Sequence, residues 1–351
     1  MPRIAELQFH FILFKFEMRF GNLHLKLFNP QRLLLAENIQ NNVTCLSPLS
    51  KGIVRCLLYF DIFQYPLTAE EIHKYCCGFP ATEDEIKLKL KVLETAGYIS
   101  CKMSFYSVKN IEIANKVERR IKGNREAEKY LKIAARFTKF ISSFPFVRGI
   151  CLSGSLSKGY ADSESDIDYF IITEPGRLWI CRTLLVLFKK IFLFNSHKYF
   201  CVNYFIDKDN LAIPDKNIFT ATEMLSIIPT YNAGLYSQLM KANPWVTNFY
   251  PNAPSENITQ AILPVKERWV KRLLEKLFSG AIGNKLDDYF FRITLSTWKR
   301  KFKDFDKEQF DLSLRSRKNV SKHHPNSFQV KVLKKYANSV KNFEEKFGLS
   351  L

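Results

Sequence analysis

The sequence lacks the patterns by which cysteine binds zinc or forms a redox dithiol. None of its eight cysteines forms a C-x-x-C pair, and most of them stand singly within apolar runs. This usage is typical of reduced, buried thiols, so we expect a cytoplasmic protein. The eight residues are Cys45, Cys56, Cys76, Cys77, Cys101, Cys151, Cys181 and Cys201.

An uninterrupted apolar run long enough to span a membrane is also missing. The best candidate, residues 178–194, contains Arg182, Lys189 and Lys190, whereas a spanning helix needs about 20 consecutive apolar residues. We therefore predict a core helix here and no membrane partner. The first 30 residues carry aromatic runs, but Arg19, Lys26 and the lack of a small-residue cleavage site argue against a secretory signal.

Acidic residues are few relative to basic ones. The 351 residues include 53 Lys and Arg but only 34 Asp and Glu, which gives a net charge of +19. From Pro264 to the end there are 21 basic and 10 acidic residues, a difference of +11. A polyanionic partner is one explanation, and a solvated lysine-rich surface is the other. The length and the 46% apolar share predict two or three folded units with cores of their own.

Residues 46–110 carry the signals of three helices followed by a hairpin. An apolar helix covers 52–60, and two further helices begin at Thr68 and Thr82, each three residues before a glutamate in a capping-box arrangement. Residues 98–106 follow as a short hairpin, so the unit resembles a winged helix-turn-helix domain. The third helix would meet DNA with an acidic first turn, residues 83–85, which favours a structural or protein-contact role over DNA binding.

A glycine-serine step and a pair of acids mark the next unit. Residues 147–153 are predicted to form a strand that ends at Gly154-Ser155, and Asp166 and Asp168 open a second apolar strand. The twofold period of a strand puts both aspartates on the same face. Two carboxylates in one site cannot easily both stay charged without a cation, and their oxygen atoms favour Mg²⁺.

Other acid or glycine motifs fit this stretch less well. A P-loop needs a lysine after its second glycine, and none follows Gly154. An EF-hand would have glycine at Ile167 and glutamate at Thr173. The D-x-D of phosphatases and glycosyltransferases closes an apolar strand, whereas here it opens one. Two acids on an exposed strand edge remain the simplest alternative.

The order of strand, Gly-Ser, short helix and acid-x-acid resembles the nucleotidyltransferase superfamily related to DNA polymerase β. The matching residues are Leu152-Ser153-Gly154-Ser155 and Asp166-Ile167-Asp168. Residues 145–182 look like uncharacterised bacterial members that carry a winged-helix unit in front, and the resemblance covers residues 46–351. It implies an α+β fold with a mixed sheet, and Mg²⁺-dependent (or Mn²⁺-dependent) transfer of a nucleoside monophosphate from an NTP to a hydroxyl.

The resemblance also implies roles for individual residues. Asp166 and Asp168 would be catalytic and would hold two metal ions, one at the attacking hydroxyl and one at the leaving pyrophosphate. Gly154 would let the backbone approach the triphosphate, because it has no Cβ in the way. Ser155 would offer hydroxyl and amide donors to the phosphates, and Lys158 could reach them or be solvated.

The superfamily usually places a third carboxylate on a later strand, and here the choice stays open. The candidate strand is 199–206, whose inward polar residue is Asn203, a weaker Mg²⁺ ligand than a carboxylate. Asp207, at the end of this strand, and Glu223, on a following helix, are the alternatives.

The chain is therefore expected to divide into four parts. These are an unassigned extension (1–45), a winged-helix-like domain (46–110), a nucleotidyltransferase domain (111–263) and a helical basic domain (264–351). In the last, residues 298–303 interleave aromatic and basic side chains, either to bind RNA or as a helix with Trp298 and Phe302 in the core. The acceptor could be a small molecule, a protein or RNA. The alternative function is a non-catalytic winged-helix binding or regulatory protein that uses the transferase fold as nucleotide sensor or scaffold.

Overall fold

A computed structural model describes residues 46–109, 112–254, 262–264, 268–324 and 326–351, and capping residues define the first helices within these ranges. Helix α1 (Pro48–Asp61) begins with a proline after Ser47, whose hydroxyl accepts a hydrogen bond from the Ser50 amide. Helices α2 (Ala69–Tyr75) and α3 (Glu83–Thr95) both open with the predicted capping box. Strands β1 (Ile99–Lys102) and β2 (Phe105–Val108) then pair as an antiparallel hairpin. The extension 1–45, with Cys45, lies outside the described residues.

Ten further helices and six further strands follow within the described residues. The helices are α4 (Ile113–Ile141), α5 (Gly154–Ser157), α6 (Leu178–Phe192), α7 (Ile218–Ser226), α8 (Ala233–Lys241), α9 (Val246–Phe249), α10 (Trp269–Leu277), α11 (Gly280–Lys301), α12 (Lys307–Ser313) and α13 (Phe328–Phe347). The strands are β3 (Val147–Ser153), β4 (Asp168–Thr173), β5 (Cys201–Asp207), β6 (Ile228–Tyr231), β7 (Ser316–Arg317) and β8 (Val320–Lys322). The strand predicted over 147–153 is confirmed, and the following strand begins at Asp168.

The six later strands form one open, mixed sheet in the order β6-β3-β4-β5-β8-β7. Only β4 and β5 run parallel among these pairs, because α6 carries the chain back between them. All other neighbours are antiparallel. The expectation of a mixed sheet within a mixed α and β architecture is therefore confirmed.

The main core lies on the face of the sheet that α4 and α6 cover. Alternate residues of β4, such as Tyr169 and Ile171, point into it together with Ala134 of α4 and Leu185 of α6. Helix α6 buries one face here, while Leu187 on its other face is 48% exposed. Among the described residues, no helix has the length and apolar character needed to cross a membrane.

The C-terminal region is not purely helical, which corrects the expectation for residues 264–351. Strands β7 and β8 form a hairpin that joins the sheet beside β5. Helix α13 then packs against α1, where the rings of Tyr59 and Tyr336 lie 5.7 Å apart between centroids. The contacts between Cα atoms place residues 46–351 in one compact unit. The pattern of local sequence could not reveal this, because strands of two and three residues carry almost no periodicity.

Candidate functional site

Strands β3 and β4 bring the glycine-serine step against the second aspartate. Ser153, the last residue of β3, pairs with Asp168, the first residue of β4. Gly154 follows in the left-handed conformation, with φ of +70°, and a Cβ at this position would lie 2.4 Å from Asp168 Oδ2. Only glycine therefore fits here without displacing the carboxyl group.

A core residue lies between the two aspartates, and the strand begins only at the second of them. Ile167 between them is fully buried, its amide donates to Lys198 O at 2.9 Å, and its carbonyl accepts from the Cys201 amide at 3.0 Å. Asp166 lies just before the first residue of β4, whereas Asp168 lines a cavity on the opposite face of the sheet from the main core.

The carboxyl group of Asp168 is held in an unfavourable electrostatic environment. Burial raises its pKa from 3.8 to about 7, and the nearby negative charges of Asp166 and Glu223 add to this effect. A hydrogen bond from the Cys201 thiol and the charge of Lys158 act in the opposite direction. A cation bound nearby would stabilise the ionised form of this buried carboxyl group. A carboxylate that gains stability from a bound cation in this way is suited to binding a metal ion.

Lys158 lies next to the glycine-serine step. Its ammonium group donates to Gly154 O at 3.1 Å and forms an ion pair with Glu223 Oε1 at 2.7 Å. Glu223 comes from α7, which covers the cavity, so the lysine links the β3–α5 turn to this helix. The structure thus brings together Gly154, Lys158, Asp168 and Glu223.

Asn203 is the polar residue of β5 that reaches the same cavity. The pairing of β4 with β5 shifts by one residue between Tyr169 and Phe170, and Asn203 is the extra residue of this bulge. Its side-chain amide donates to Cys201 Sγ at 2.8 Å, beside Asp168. Asn203 is therefore placed at the acidic site through this bulge.

Asp207 does not reach the acidic pair, which corrects its expected place among the candidate ligands. It pairs with Thr173 at the far end of the parallel strands, whereas Asp168 pairs with Cys201 at the near end. Six residues at about 3.3 Å each separate the two ends. Its carboxylate instead accepts hydrogen bonds from the Asp209 amide and the Asn210 side chain, which hold the turn after β5. In the part of the chain that the structure describes, no group of three or more His, Cys, Asp or Glu side chains is arranged to hold a metal ion.

The cavity has a volume of about 230 Å³ and runs from Gly154 to the C-terminal helices. Sequence analysis missed this far wall, because its residues lie more than 140 positions from the D-x-D motif. The wall residues are Leu312, Ser313, Lys322, His324, Ser327, Phe328 and Gln329. His324 belongs to this wall, and both it and the adjoining His323 are half-buried. Burial lowers the pKa of His324 to about 4 and that of His323 to about 3, so both rings are neutral at pH 7.

The interleaved aromatic and basic segment forms the end of α11. Trp298 is buried, and its ring packs on His323 with 4.7 Å between the ring centroids, while Phe302 contacts the same histidine at 6.3 Å. The basic side chains between and after them, Lys299, Arg300, Lys301 and Lys303, are exposed. Trp298 therefore packs in the interior and is not open to stack with bases, whereas Phe302 is half-buried.

The exposed face of α3 is acidic at its start and apolar further on. Residues 83–85 are exposed, and Lys87 pairs with Glu83 at 3.6 Å, so part of the following positive charge is neutralised. Leu88 and Val92, one turn apart, are 61% and 50% exposed.

All seven cysteines in the described residues are free thiols. Comparisons of the chain with family models, with curated proteins and with solved structures found no match.

Proposed function

We propose that the protein is a metal-dependent nucleotidyltransferase that transfers a nucleoside monophosphate from an NTP to a hydroxyl acceptor. The observation that carries this proposal is the close packing of Gly154 against the Asp168 carboxyl group in the wall of the cavity. A backbone turn without a Cβ can lie against phosphate oxygens, and the adjoining carboxylate can share a metal ion with them. In this proposal, α1 to β2 form a winged-helix domain and β3 to β6 belong to the nucleotidyltransferase core.

The donor set around Asp168 fits a magnesium ion that arrives with the nucleotide. Mg²⁺ is usually bound by one or two carboxylates and by substrate phosphates, and it does not need an all-protein cage. Asp166 and Asp168 supply two carboxylates. Burial raises the pKa of Asp168 to about 7 and the charges of Asp166 and Glu223 add to this, so a bound cation would stabilise the ionised carboxylate. Such an ion, when bound, would neutralise charge on the leaving pyrophosphate.

The surrounding residues have roles that follow from their chemistry. Lys158 offers an ammonium donor beside Gly154 for the phosphates, and Glu223 holds it in this position. Asn203 can add an amide oxygen at the metal, but it cannot accept a proton from the acceptor hydroxyl. Glu223 is occupied by its lysine, so proton removal from the acceptor falls to Asp166 or Asp168.

The test is transfer of label from each of the four NTPs to protein, to RNA or to small molecules of a cell extract, with Mg²⁺ present. We expect wild-type protein to transfer one or more nucleotides, and Asp166→Asn and Asp168→Asn to lose at least about 100-fold in rate, because the metal provides several kcal/mol of charge stabilisation. Asp209→Asn removes an exposed carboxylate in the turn after β5 and is the control. Turnover at the wild-type rate in either site variant would contradict the proposal.

A second candidate is a non-catalytic nucleotide sensor, and one observation favours it. Within the described ranges, no third carboxylate completes a metal cluster with Asp166 and Asp168. In this case the protein binds Mg²⁺-NTP in the same cavity without releasing pyrophosphate. The exposed Leu88 and Val92 of α3 then support contact of the N-terminal unit with a protein, because DNA phosphates would meet an acidic helix start. Nucleotide binding without pyrophosphate release, with and without extract, would favour the sensor.

A further inference from the structure

A half-buried arginine on α6 has no polar partner in the part of the chain that the structure describes. The guanidinium carbon of Arg182 lies over the indole rings of Trp179 and Trp298, 5.6 and 4.8 Å from their centroids. Among the described residues its nitrogen atoms have no hydrogen-bond or ion-pair partner, yet none of these atoms is completely buried. Burial lowers the pKa of Arg182 to about 10. Arginines that are withdrawn from water are usually paired with an anion, so this one indicates a missing ligand.

A second cation lies on the same face of α6. Lys189 follows Arg182 by about two helical turns and is 5% exposed, and its ammonium group contacts the His197 ring at 3.3 Å. Burial lowers the pKa of Lys189, and the positive charge of Arg182 acts in the same direction. Cys201 and Asp166 oppose this, but within the described ranges no carboxylate forms an ion pair with the lysine. Two neighbouring cations are therefore held without a counter-ion in direct contact.

The ring of His323 lies beside these two cations. Its centroid is 4.7 Å from that of the Trp298 ring, over which Arg182 also lies. Burial lowers the pKa of His323 to about 3, and the charges of Arg182 and Lys189 add to this, so the ring is neutral at pH 7. Its ring nitrogens have no hydrogen-bond partner among the described residues, and neither is completely buried. A neutral imidazole has one N–H to donate, so the ring can serve as a third donor.

We propose that Arg182, Lys189 and His323 bind the phosphate group of a small ligand, at a site separate from the cavity. None of the three residues lines the cavity, so this inference does not depend on the function proposed above. A phosphate group carries up to two negative charges, which match the two cations, whereas a carboxylate would leave one of them uncompensated. Its tetrahedral oxygen atoms can accept from donors that come from different directions.

The packing of Arg182 on indole rings suits this role. A guanidinium group that stacks by its flat face keeps the N–H groups of its edge free, and these form the planar fork that matches two phosphate oxygens. Trp179 is fully buried and Trp298 is 6% exposed, so the surface on which the arginine packs is fixed within the fold. Less side-chain entropy is then lost when the phosphate binds.

The test measures the binding of inorganic phosphate and of glycerol 3-phosphate to the full chain by calorimetry, without Mg²⁺ and at an ionic strength held constant with chloride. We expect at least one of them to bind with a dissociation constant of about 1 mM or lower. The tighter ligand identifies the source of the phosphate group, either the free ion or a small organic ester. Tryptophan fluorescence should change with the same dissociation constant, because two indole rings pack on Arg182.

Two variants remove one cation each. Arg182→Met keeps an unbranched side chain on the indole rings but has no charge, and it should weaken phosphate binding at least about tenfold, because charge-assisted hydrogen bonds are lost. Lys189→Met should weaken it by a similar factor. Arg292→Met, on the exposed surface of α11, is the control and should bind phosphate as the wild type does. Each variant must show the wild-type near-ultraviolet circular dichroism spectrum, and misfolding of one site variant leaves the other decisive.

Two results would overturn this inference. One is the absence of binding of both ligands to the wild type at concentrations up to about 10 mM. The other is phosphate binding that both site variants retain at the wild-type affinity. If Lys158→Met then abolishes that binding, the phosphate lies in the cavity instead. Neither result decides whether the protein transfers nucleotides, since the acidic site and the three phosphate-binding residues are different.

Discussion

Replacing Asp168 by asparagine should stabilise the fold at neutral and alkaline pH. The carboxyl group is buried, faces the charges of Asp166 and Glu223, and has its pKa raised from 3.8 to about 7. Asparagine has nearly the same shape but no charge to desolvate. The wild-type protein pays the cost of ionising this group in the folded state, and the variant does not.

The sign of the pH dependence follows from proton binding. Between pH 3.8 and about 7 the folded carboxyl keeps its proton while the unfolded one has lost it, so the folded state binds more protons. The contribution of Asp168 to the free energy of unfolding therefore falls as the pH rises through this window and is constant above it. A shift of about three units at ~1.4 kcal/mol per unit sets an upper limit of ~4 kcal/mol. Partial screening by solvent reduces this, and we expect about 2 to 4 kcal/mol.

The assay is denaturant unfolding of both proteins between pH 4 and pH 8.5 without divalent metal. The variant should exceed the wild type by ~2 to 4 kcal/mol at pH 8, and this difference should shrink toward a constant near pH 4. Asp209→Asn should show no such change, since this carboxylate is exposed. Parallel curves for wild type and Asp168→Asn across the whole range would refute the argument. Mg²⁺ at pH 8 should stabilise the wild type more than the variant, because the added cation replaces the missing counter-charge.

Three further predictions follow from the same contacts. Gly154→Val should cost more free energy of unfolding than Gly176→Val and should weaken NTP binding at least about tenfold, because both glycines have positive φ but only the first would place its Cβ against Asp168. Equal NTP affinity of wild type and Gly154→Val in calorimetry would contradict this. The negative charge of Glu223 raises the pKa of Asp168, so Glu223→Gln should lower the pH midpoint of the stability change that Asp168 causes. The positive charge of Lys158 lowers this pKa, so Lys158→Met should raise the midpoint. Midpoints that move in the opposite directions would contradict these two assignments. A variant in which four exposed basic residues at the end of α11 are replaced by glutamine should bind RNA and DNA as the wild type does, in gel shifts over a range of salt concentrations. If the plot of log affinity against log salt is instead flatter for the variant, by roughly 0.7 to 0.9 per lost phosphate contact, these residues form a polyanion site. These residues are Lys299, Arg300, Lys301 and Lys303.

Local sequence was sufficient where a few neighbouring residues decide the structure. The capping boxes at Thr68 and Thr82 predicted the starts of α2 and α3, because the side chain and the amides that it caps lie within four residues. The apolar run 147–153 predicted β3, and the alternation around Ile167 predicted a core residue between the two aspartates. Gly154, directly after β3, was also a local signal. Its positive φ explains why glycine occupies this position.

Tertiary structure alone decided which distant groups share the cavity. The pairing of β4 with β5 is parallel, so it puts Asp207 at the far end and Asn203, through a bulge, at the near end. No rule of spacing could predict this bulge, because its cost and benefit depend on packing across the sheet. The Lys158–Glu223 pair joins residues 65 positions apart, and Lys322 reaches the cavity because the β7–β8 hairpin extends the sheet beside β5. The acidic motif could thus be recognised from the sequence alone. The lysine beside it and the far wall of the cavity come together only in the folded chain, because they depend on contacts between distant residues.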